Sequence, residues 1–488
     1  MPSPKQRFAA DLWRLADLDQ ANSRGRPFRA RAYRRAVWSL DDLSPDLIES
    51  PEEILAVPGI GQGIARLIDE FRANDELAAI NKLSERLPAD ALALSRLPRM
   101  TPTRLHALKG QLGVETVNDL GEAMAAGDAE MLPGVGRQTV ELWLRVLSQK
   151  RPGVPIYTAR AFAVRLAEHI ATKVRGSEVE LAGAVARLDE WVSEIDLAVS
   201  GSSVRPFLAQ SAVTSGSEEL SHGIRLKTLG GPVTVSIAGA AETVSMPARG
   251  ALIGDLKGDL HTHSDWSPDG RQSLTQLVAA AVAKGYEYVG ITDHAVGLRF
   301  GGLDETRLRA QRAELETVRA AYPEIAVLHG IELNIGRDGS VDFEVDLLSW
   351  LDFTVAGVHS FLSIGADEQT ARILGAIANP QVDVIAHLTG RRIGIRPPIE
   401  LDLPAVFAAA ATHGTILEVN GHLDRLDLSA ELINSAVDYG VDFVANSDAH
   451  RPAELANVEH ACALLQRAGA KPASVVNTWD LKALRTRL

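Results

Sequence analysis

One cysteine, Cys462, is all that 488 residues provide. That excludes an internal disulfide framework and fits a reducing cytoplasm. No apolar run approaches the roughly 18 residues that a membrane-spanning helix needs. The alanine-rich AVFAAAA stretch reads instead as buried helix. The opening MPSPKQRF lacks the apolar core of a secretory signal. These absences predict a cytoplasmic protein with no membrane partner, and nothing in the chain demands an obligate protein partner. Positive charge is also scarce: 50 Lys and Arg face 63 Asp and Glu, a net −13. Such a balance argues against nucleic acid for the chain as a whole, but distribution matters more than the sum. Residues 1–40 hold nine basic residues (Lys5, Arg7, Arg14, Arg24, Arg26, Arg29, Arg31, Arg34 and Arg35) against Asp11, Asp17 and Asp19.

What the chain has in quantity is histidine and carboxylate at the ends of apolar runs. GDLHTHSDWSPDG is followed by VGITDH, LHGIEL, VAGVHS, VIAHLTG, ILEVNG and VANSDAH. The candidate ligands are His261, His263, Asp269, His294, Glu332, His359, His387, Asp448 and His450. Imidazole nitrogen with carboxylate oxygen suits Zn²⁺, Mn²⁺ or Fe. Nine donors exceed one ion's needs and suit a cluster of two or three divalent metals, a device that activates water and clamps a phosphate. One histidine after an apolar run is usually a satisfied core residue. The same explanation would have to hold separately for six motifs, each at a strand end. Asp265 and Asp293 read as orienting or turn residues. Asn420 could contact substrate or cap a turn, and His413 and His422 read as ordinary surface histidines.

Residues 5–150 read as helical, with short Pro/Gly turns. Val57-Pro58-Gly59-Ile60-Gly61 and Leu132-Pro133-Gly134-Val135-Gly136 each precede a helical pattern. This is a helix-hairpin-helix signature: the glycines permit a tight turn and close approach to a phosphate that faces helix N–H groups. The candidate DNA contacts are therefore Gly59, Gly61, Gly134 and Gly136, with Arg31, Arg34 and Arg35 from the basic stretch. Leu97-Pro98-Arg99-Met100-Thr101 has the spacing without the glycines and reads as a degenerate, structural copy. Residues 155–245 look α+β, with strand-like EVELAGAV, EIDLAVSG, IRLKTL and PVTVSIAG. From 257 onward strands and helices alternate, which predicts a parallel sheet or barrel with its site at the strands' carboxyl ends.

HTH…SPDG, TDH, GIE, GVHS, AH and SDAH, in that order, resemble the motif series of the PHP (polymerase and histidinol phosphatase) superfamily over about residues 257–450. The resemblance implies a distorted (β/α)7, TIM-like barrel with three metal ions, and it carries the ligand role onto the nine residues above. Pro268 lengthens one loop relative to the common SDG form, so Asp265 stays open as an alternative to Asp269.

The N-terminal half resembles bacterial family X DNA polymerase in NSRGRPFRARAYRRA, VPGIGQGIARLIDEF and LPGVGRQTVELW. The resemblance then decays. The triphosphate-holding Gly-Ser turn becomes Gly183-Ala184, and the metal-binding Asp-x-Asp becomes Glu194-Ile195-Asp196. The third Asp becomes Thr234, and the lyase lysine becomes Leu67. Only residues 240–257 separate SIAG from GDLHTH.

The expected organisation is thus multi-domain. A lyase-like helix-hairpin-helix domain spans 1–80 and a fingers-like one 81–150, an all-α N-terminal region. A truncated, degenerate α+β palm spans 151–245, and the PHP barrel 255–475. The expected function is metal-dependent phosphoester hydrolysis on DNA (duplex, nicked or 3′ ends), with polymerase activity lost. By resemblance the activity is of 3′–5′ exonuclease, abasic-site endonuclease or 3′-phosphatase type. His359 and Asp448 are the candidate proton carriers. A small-molecule phosphatase of the histidinol-phosphate kind and a non-catalytic DNA-binding adaptor are the alternatives.

Overall fold

The computed structural model describes residues 2–23, 28–148, 153–200, 203–215, 218–220, 223–226, 233–239, 251–297 and 301–488. Arg24, Arg26 and most of the 240–257 stretch between SIAG and GDLHTH lie outside these residues. The chain divides into two compact units, Met1–Met246 and Pro247–Leu488.

The first unit opens with helices capped as the sequence suggests. Ser3 and Ser50 each form a reciprocal capping box, with Gln6 and Glu53, which satisfies otherwise orphaned amide groups. Both glycine-bearing hairpins form. Gly59 and Gly134 take left-handed backbone at φ 94° and 73°, ahead of helices Gln62–Asn74 and Arg137–Ser148. The turn bonds are Ile60 N–H to Val57 O (3.1 Å) and Val135 N–H to Leu132 O (3.0 Å). The third copy has the same geometry: Met100 N–H donates to Leu97 O at 3.0 Å. There Arg99 accepts φ 61° without glycine, a cost of roughly 1–2 kcal/mol. Its structural role is visible in its contacts. The Arg104 guanidinium bonds both the Arg99 and Gly134 carbonyls, and Trp143 Nε1 donates to Pro98 O at 2.8 Å. The second glycines do other work: around Gly61 and Gly136 a side chain would meet nothing within 4 Å, so the backbone is open to solvent at each helix start.

The α+β segment follows. Strand β1 (Val154–Pro155) pairs with β3 (Trp191–Val192). Strands β2 (Glu178–Ala182), β4 (Glu194–Ser200), β5 (Glu218–Leu220), β6 (Gly223–Leu226) and β7 (Val233–Gly239) form a sheet in the order β2-β4-β7-β6-β5. EVELAGAV is not one strand. It stops at Ala182 because Gly183, at φ 54°, turns the chain into a short helix, Gly183–Arg187. Buried Asp41 ties the helical part to this segment: it accepts from Ser211 Oγ (2.5 Å) and Ala212 N–H (2.6 Å), and His169 Nε2 lies 2.8 Å away.

The second unit is the parallel barrel. Its strands are β8 (Gly258–Asp259), β9 (Tyr288–Ile291), β10 (Ala326–His329), β11 (Glu332–Asn334), β12 (Val355–Gly357), β13 (Val384–Ala386), β14 (Ile416–Asn420) and β15 (Phe443–Asn446). They form two parallel arcs, β10-β9-β8 and β11-β12-β13-β14-β15. Gly330-Ile331 interrupts a single strand position to give β10 and β11, so the eight segments occupy seven positions. Parallel bridges His294↔Glu332 and Thr262↔Ala449 join the two arcs at the carboxyl ends. Leu260, Leu328, Val355, Val384, Ile416 and Val444 pack inside. Each fully buried side chain of this size contributes roughly 1.5–3 kcal/mol. Among the described residues no helix is long and apolar enough to cross a membrane.

Candidate metal centre

Each apolar strand delivers its polar residue to the same end of the barrel. Glu332 opens β11; His294 follows β9, and His359 and His387 follow β12 and β13. His261 and His263 follow β8, and Asp448 and His450 follow β15. Glu332 is the hub. Its carboxylate lies 2.7 Å from His294 Nδ1, 2.9 Å from His387 Nε2, 3.0 Å from His359 Nε2, 3.4 Å from His261 Nε2 and 3.5 Å from His263 Nε2. Asp448 lies 3.2 Å from His263 Nε2 and 3.7 Å from both His261 and His450. Asp269 reaches the cluster from its loop, 3.4 Å from His450 and 3.6 Å from His294. Asp265 is exposed and lies outside it, its backbone pairing with Gln272. All nine sequence-predicted donors therefore converge. Among the described residues, the groupings with metal-ligating spacing are His263/His294/His450, His261/Glu332/His387, His261/His263/Asp448 and His294/Glu332/His359.

Orphaned atoms show what the pocket is built to hold. Nε2 of His261, His263 and His359, Nδ1 of His294 and Oε2 of Glu332 are buried without hydrogen-bond partners. His294 Nδ1 and Glu332 Oε2 are 2.7 Å apart yet not aligned as donor and acceptor. Unpaired buried polar atoms each cost about 1–3 kcal/mol. Atoms aimed at shared points rather than at each other fit divalent ions with nitrogen and oxygen ligands. Backbone strain gathers here as well: His387 and Asp448 are left-handed, at φ 30° and 54°, a departure that persists at functional sites. Gly357, in GVHS, is forced by the cluster. A Cβ there would stand 2.6 Å from His387 Cε1, 3.0 Å from His359 Cε1 and 3.1 Å from Glu332 Oε1.

The protonation pattern follows from crowding. Burial opposes charge on Glu332, but His294, His359 and His261 hold its carboxyl well below the ordinary range. Burial likewise opposes charge on His294, but Glu332 and Asp269 raise it to about 10. Burial, with His450 and His294 beside it, lowers His263 to about 3. Burial, with Arg425 nearby, lowers His387 to about 4.

Around the donors stands an orienting layer that the sequence reading largely missed. Glu418 is fully buried. Its carboxylate lies 2.6 Å from His261 Nδ1 and accepts from His387 N–H at 2.7 Å and Asn446 Nδ2 at 3.0 Å. Its signal was present in ILEVNG: an acid in the middle of a buried strand needs partners. Asn334, itself bonded to Asp342, lies 2.8 Å from His359 Nδ1 through Oδ1. Asp293 accepts from Ser264 and Gln311 (2.5 and 2.6 Å). Asn420 caps a turn by accepting from His422 N–H, and its amide donates to Asp448 Oδ2 at 3.1 Å. His422 is not the free surface residue expected: Asp424 Oδ1 holds it at 2.6 Å and the ring is two-thirds covered. His413 is exposed. Arg425 lies with Nε 3.3 Å from Asp448 Oδ2, and its buried Nη1 has no hydrogen-bond partner.

The candidate DNA contacts belong to the first unit. Gly59 and Gly134 form the hairpin turns described above. Arg35 is exposed, its Cγ 3.7 Å from where a Gly59 Cβ would lie. Arg31 is exposed and stacks on Phe28. Arg34 is spent internally, on Asp17 (2.8 Å) and Gln20 (2.5 Å). The palm-like acids, Glu194 and Asp196, are half-buried. Asp196 packs over Gly183 and accepts the Ala184 N–H, and burial, with Glu194 beside it, raises its carboxyl. In the strand register Thr234 stands opposite Glu194, and Ser236 opposite Asp196.

A parallel barrel of seven strand positions, with imidazoles and carboxylates massed at one end, is the framework of a metal-dependent phosphoesterase. The chain belongs to the PHP family: residues 259–447 match the PHP domain, and residues 3–77 match a helix-hairpin-helix domain. A probable phosphatase of Syntrophotalea carbinolica is 30% identical across 45% of this chain and 90% of its own length. Another, of Edwardsiella ictaluri, is 29% identical across 46% of this chain and 91% of its own. The DNA polymerase/3'-5' exonuclease PolX of Bacillus subtilis is 26% identical across 93% of this chain and 94% of its own. The N-terminal unit is thus a family X polymerase-like region fused to a PHP phosphoesterase.

Proposed function

We propose that this protein is a DNA-directed, metal-dependent phosphoesterase of repair, acting at 3′ ends, nicks or abasic sites, whose polymerase activity has been lost. The observation that carries the catalytic part is Glu332 within 3.5 Å of five imidazoles, with inward-facing donor atoms left orphaned. His261, His263, Asp269, His294, Glu332, His359, His387, Asp448 and His450 would hold three ions, Zn, Mn or Fe. The overlapping triads, which share His261, His263, His294 and Glu332, support adjacent ions. When bound, such ions supply Lewis acidity that activates water and offsets phosphate charge. The chain's own groups do the rest. Asn334 fixes the His359 ring so that Nε2 faces inward, and Glu418 does the same for His261. That favours ligation over proton carriage for His359. Asp448, with His261, His263 and Arg425 around it, is a stable carboxylate rather than an acid. Arg425, with Nε 3.3 Å from Asp448 Oδ2, would bring positive charge toward a phosphate held at the cluster.

The DNA part rests on the hairpins, with Gly59, Gly61, Gly134, Gly136, Arg31 and Arg35 as backbone contacts and Arg34 as their support. A division into lyase-like, fingers-like and palm-like segments within the first unit goes with this reading. The small-molecule phosphatase reading is weaker: the phosphatase relatives above match about half of this chain, whereas the polymerase/exonuclease relative matches nearly all of it. The deciding experiment incubates the protein and Mn²⁺ with end-labelled single-stranded, nicked, gapped and abasic DNA, beside p-nitrophenyl phosphate and histidinol phosphate. Turnover of the small esters with no cleavage of any DNA would refute it.

A further inference from the structure

Phe361 is an anomaly among the left-handed residues. The other large apolar non-glycine residues with positive φ among the described ones, Leu47, Leu188 and Leu426, are buried. Phe361, at φ 52°, is 50% exposed. Exposing a phenyl ring and holding it in a backbone region that costs roughly 1–2 kcal/mol both oppose folding. Yet the loop is built to keep it there. Buried Gln369 donates Nε2 to the Phe361 carbonyl at 2.8 Å. Buried Arg372 donates to the Ser360 carbonyl at 2.9 Å and to the Gly336 carbonyl at 2.9 Å. Its guanidinium carbon lies 5.8 Å from the phenyl centroid. The result is an exposed phenyl ring on a backbone pinned by two buried side chains.

Its place is equally telling. Phe361 stands two residues past His359, at most about 7 Å along the chain, at the cluster's end of the barrel. Two other exposed apolar side chains sit on loops that follow donor strands: Val296 after His294, and Ile395 on the turn after His387. The Phe361 and Ile395 loops touch through their neighbours, and the Val296 loop meets the residue that holds His359. A Cβ on Gly390 would lie 3.3 Å from Leu362 Cδ2, and one on Gly297 would lie 2.8 Å from Nδ2 of Asn334, the partner of His359. A polar phosphate centre thus has an apolar lip.

We propose that Phe361 is a specificity-determining residue that stacks the unpaired base of the 3′-terminal nucleotide, so that its phosphodiester is presented to the cluster. This rests on the DNA phosphoesterase reading above. An aromatic platform accepts any base because every base has a π-face. The site would therefore favour frayed or single-stranded 3′ ends over paired ones, with little sequence preference.

The test is a cycle. Wild type, Phe361→Ala and Phe361→Trp are each given Mn²⁺ and two single-stranded oligonucleotides, one with a normal 3′-terminal nucleotide and one whose terminal sugar lacks its base. On the normal end Phe361→Ala should raise KM about tenfold, the loss of one base–aromatic stack, with kcat held, and Phe361→Trp should restore it. On the baseless end the three proteins should converge. Equal losses on both ends, failure of Trp to restore KM, or no change on the normal end would overturn the proposal alone. So would a change in sedimentation mass on Phe361→Ala, which would assign the lip to a second copy of the chain. A wild type that cleaves neither oligonucleotide but hydrolyses p-nitrophenyl phosphate would overturn the parent reading and this one together.

Discussion

Two sheets in this chain carry acids at positions where metal chemistry is conceivable, and they have been treated in opposite ways. At the barrel mouth, three carboxylates and six imidazoles from several strand ends and one loop face one another with orphaned atoms between them. On the palm-like sheet, Asp196 has found a local partner in the Ala184 amide, and the strand facing it offers Thr234 and Ser236. Among the described residues, groupings of metal-ligating spacing occur in the second unit only. Acids on a sheet do not make a site. Unsatisfied donors converging from independent elements do, because the fold bears a cost that only a ligand repays.

The largest expected effect breaks the barrel side of that contrast. Glu332→Gln removes the charge shared by five imidazoles and should release the metal and lower hydrolysis by more than the roughly hundredfold that loss of an orienting partner costs. Metal content and turnover of the purified variant check it. Chelation of the wild type should reach the same inactive state, and re-addition of Mn²⁺ should restore the wild type only. Next comes Glu418→Gln, which keeps the hydrogen bonds but not the charge beside His261. Metal affinity should fall about 10- to 100-fold with the barrel still folded by circular dichroism.

Much of the barrel site was legible because its motifs lie at strand ends, where a short apolar run followed by histidine or acid is a local pattern. The eight candidates that share the metal-spaced groupings could be named from it, while Asp269, on a loop, was named with Asp265 as its alternative. Glu418 could be flagged only as a buried strand acid in need of partners, and Asn334 and Arg425 not at all, since their roles depend on which strands become neighbours, and period and composition do not encode that. The same limit explains Arg34. As one of a basic run it looked available for DNA, but folding brought Asp17 and Gln20 onto it. The hairpins were readable through glycine. The third one shows that the turn survives at Arg99 when neighbours compensate.

Smaller effects sharpen the other side. Arg35→Ala, beside the first hairpin, should weaken DNA binding severalfold and reduce the salt slope by about one, as titrations at several salt concentrations would show; an unchanged slope would move the DNA contact elsewhere. Asp196→Asn should be gentler still. Burial raises the Asp196 carboxyl above its unfolded value. The stability that goes with its protonated form is therefore complete below the ordinary carboxylate range and is lost as pH rises through the raised value. Removing the charge should flatten that decline, measured by urea unfolding between pH 4 and 8. A steeper dependence in the variant would mean that the carboxylate is paired rather than merely buried.

The last expectation is an effect of zero. Nucleotidyl transfer on a polymerase palm requires two divalent ions bridged by carboxylates, because the attacking and leaving oxygens must both be stabilised. Here one carboxylate of the pair, Asp196, is turned onto the Gly183-Ala184 backbone. That is the turn which, by resemblance, would hold the triphosphate. Glu194 faces Thr234 across the strand pair, so no third acid completes a bridge. Gap-filling primer extension with all four dNTPs and Mn²⁺ or Mg²⁺, in a His261→Ala background that suppresses degradation, should yield no product. Adding Asp196→Ala should change nothing. Template-directed extension that vanishes with Asp196→Ala would show that the two sheets are both catalytic, and the contrast between them would fall.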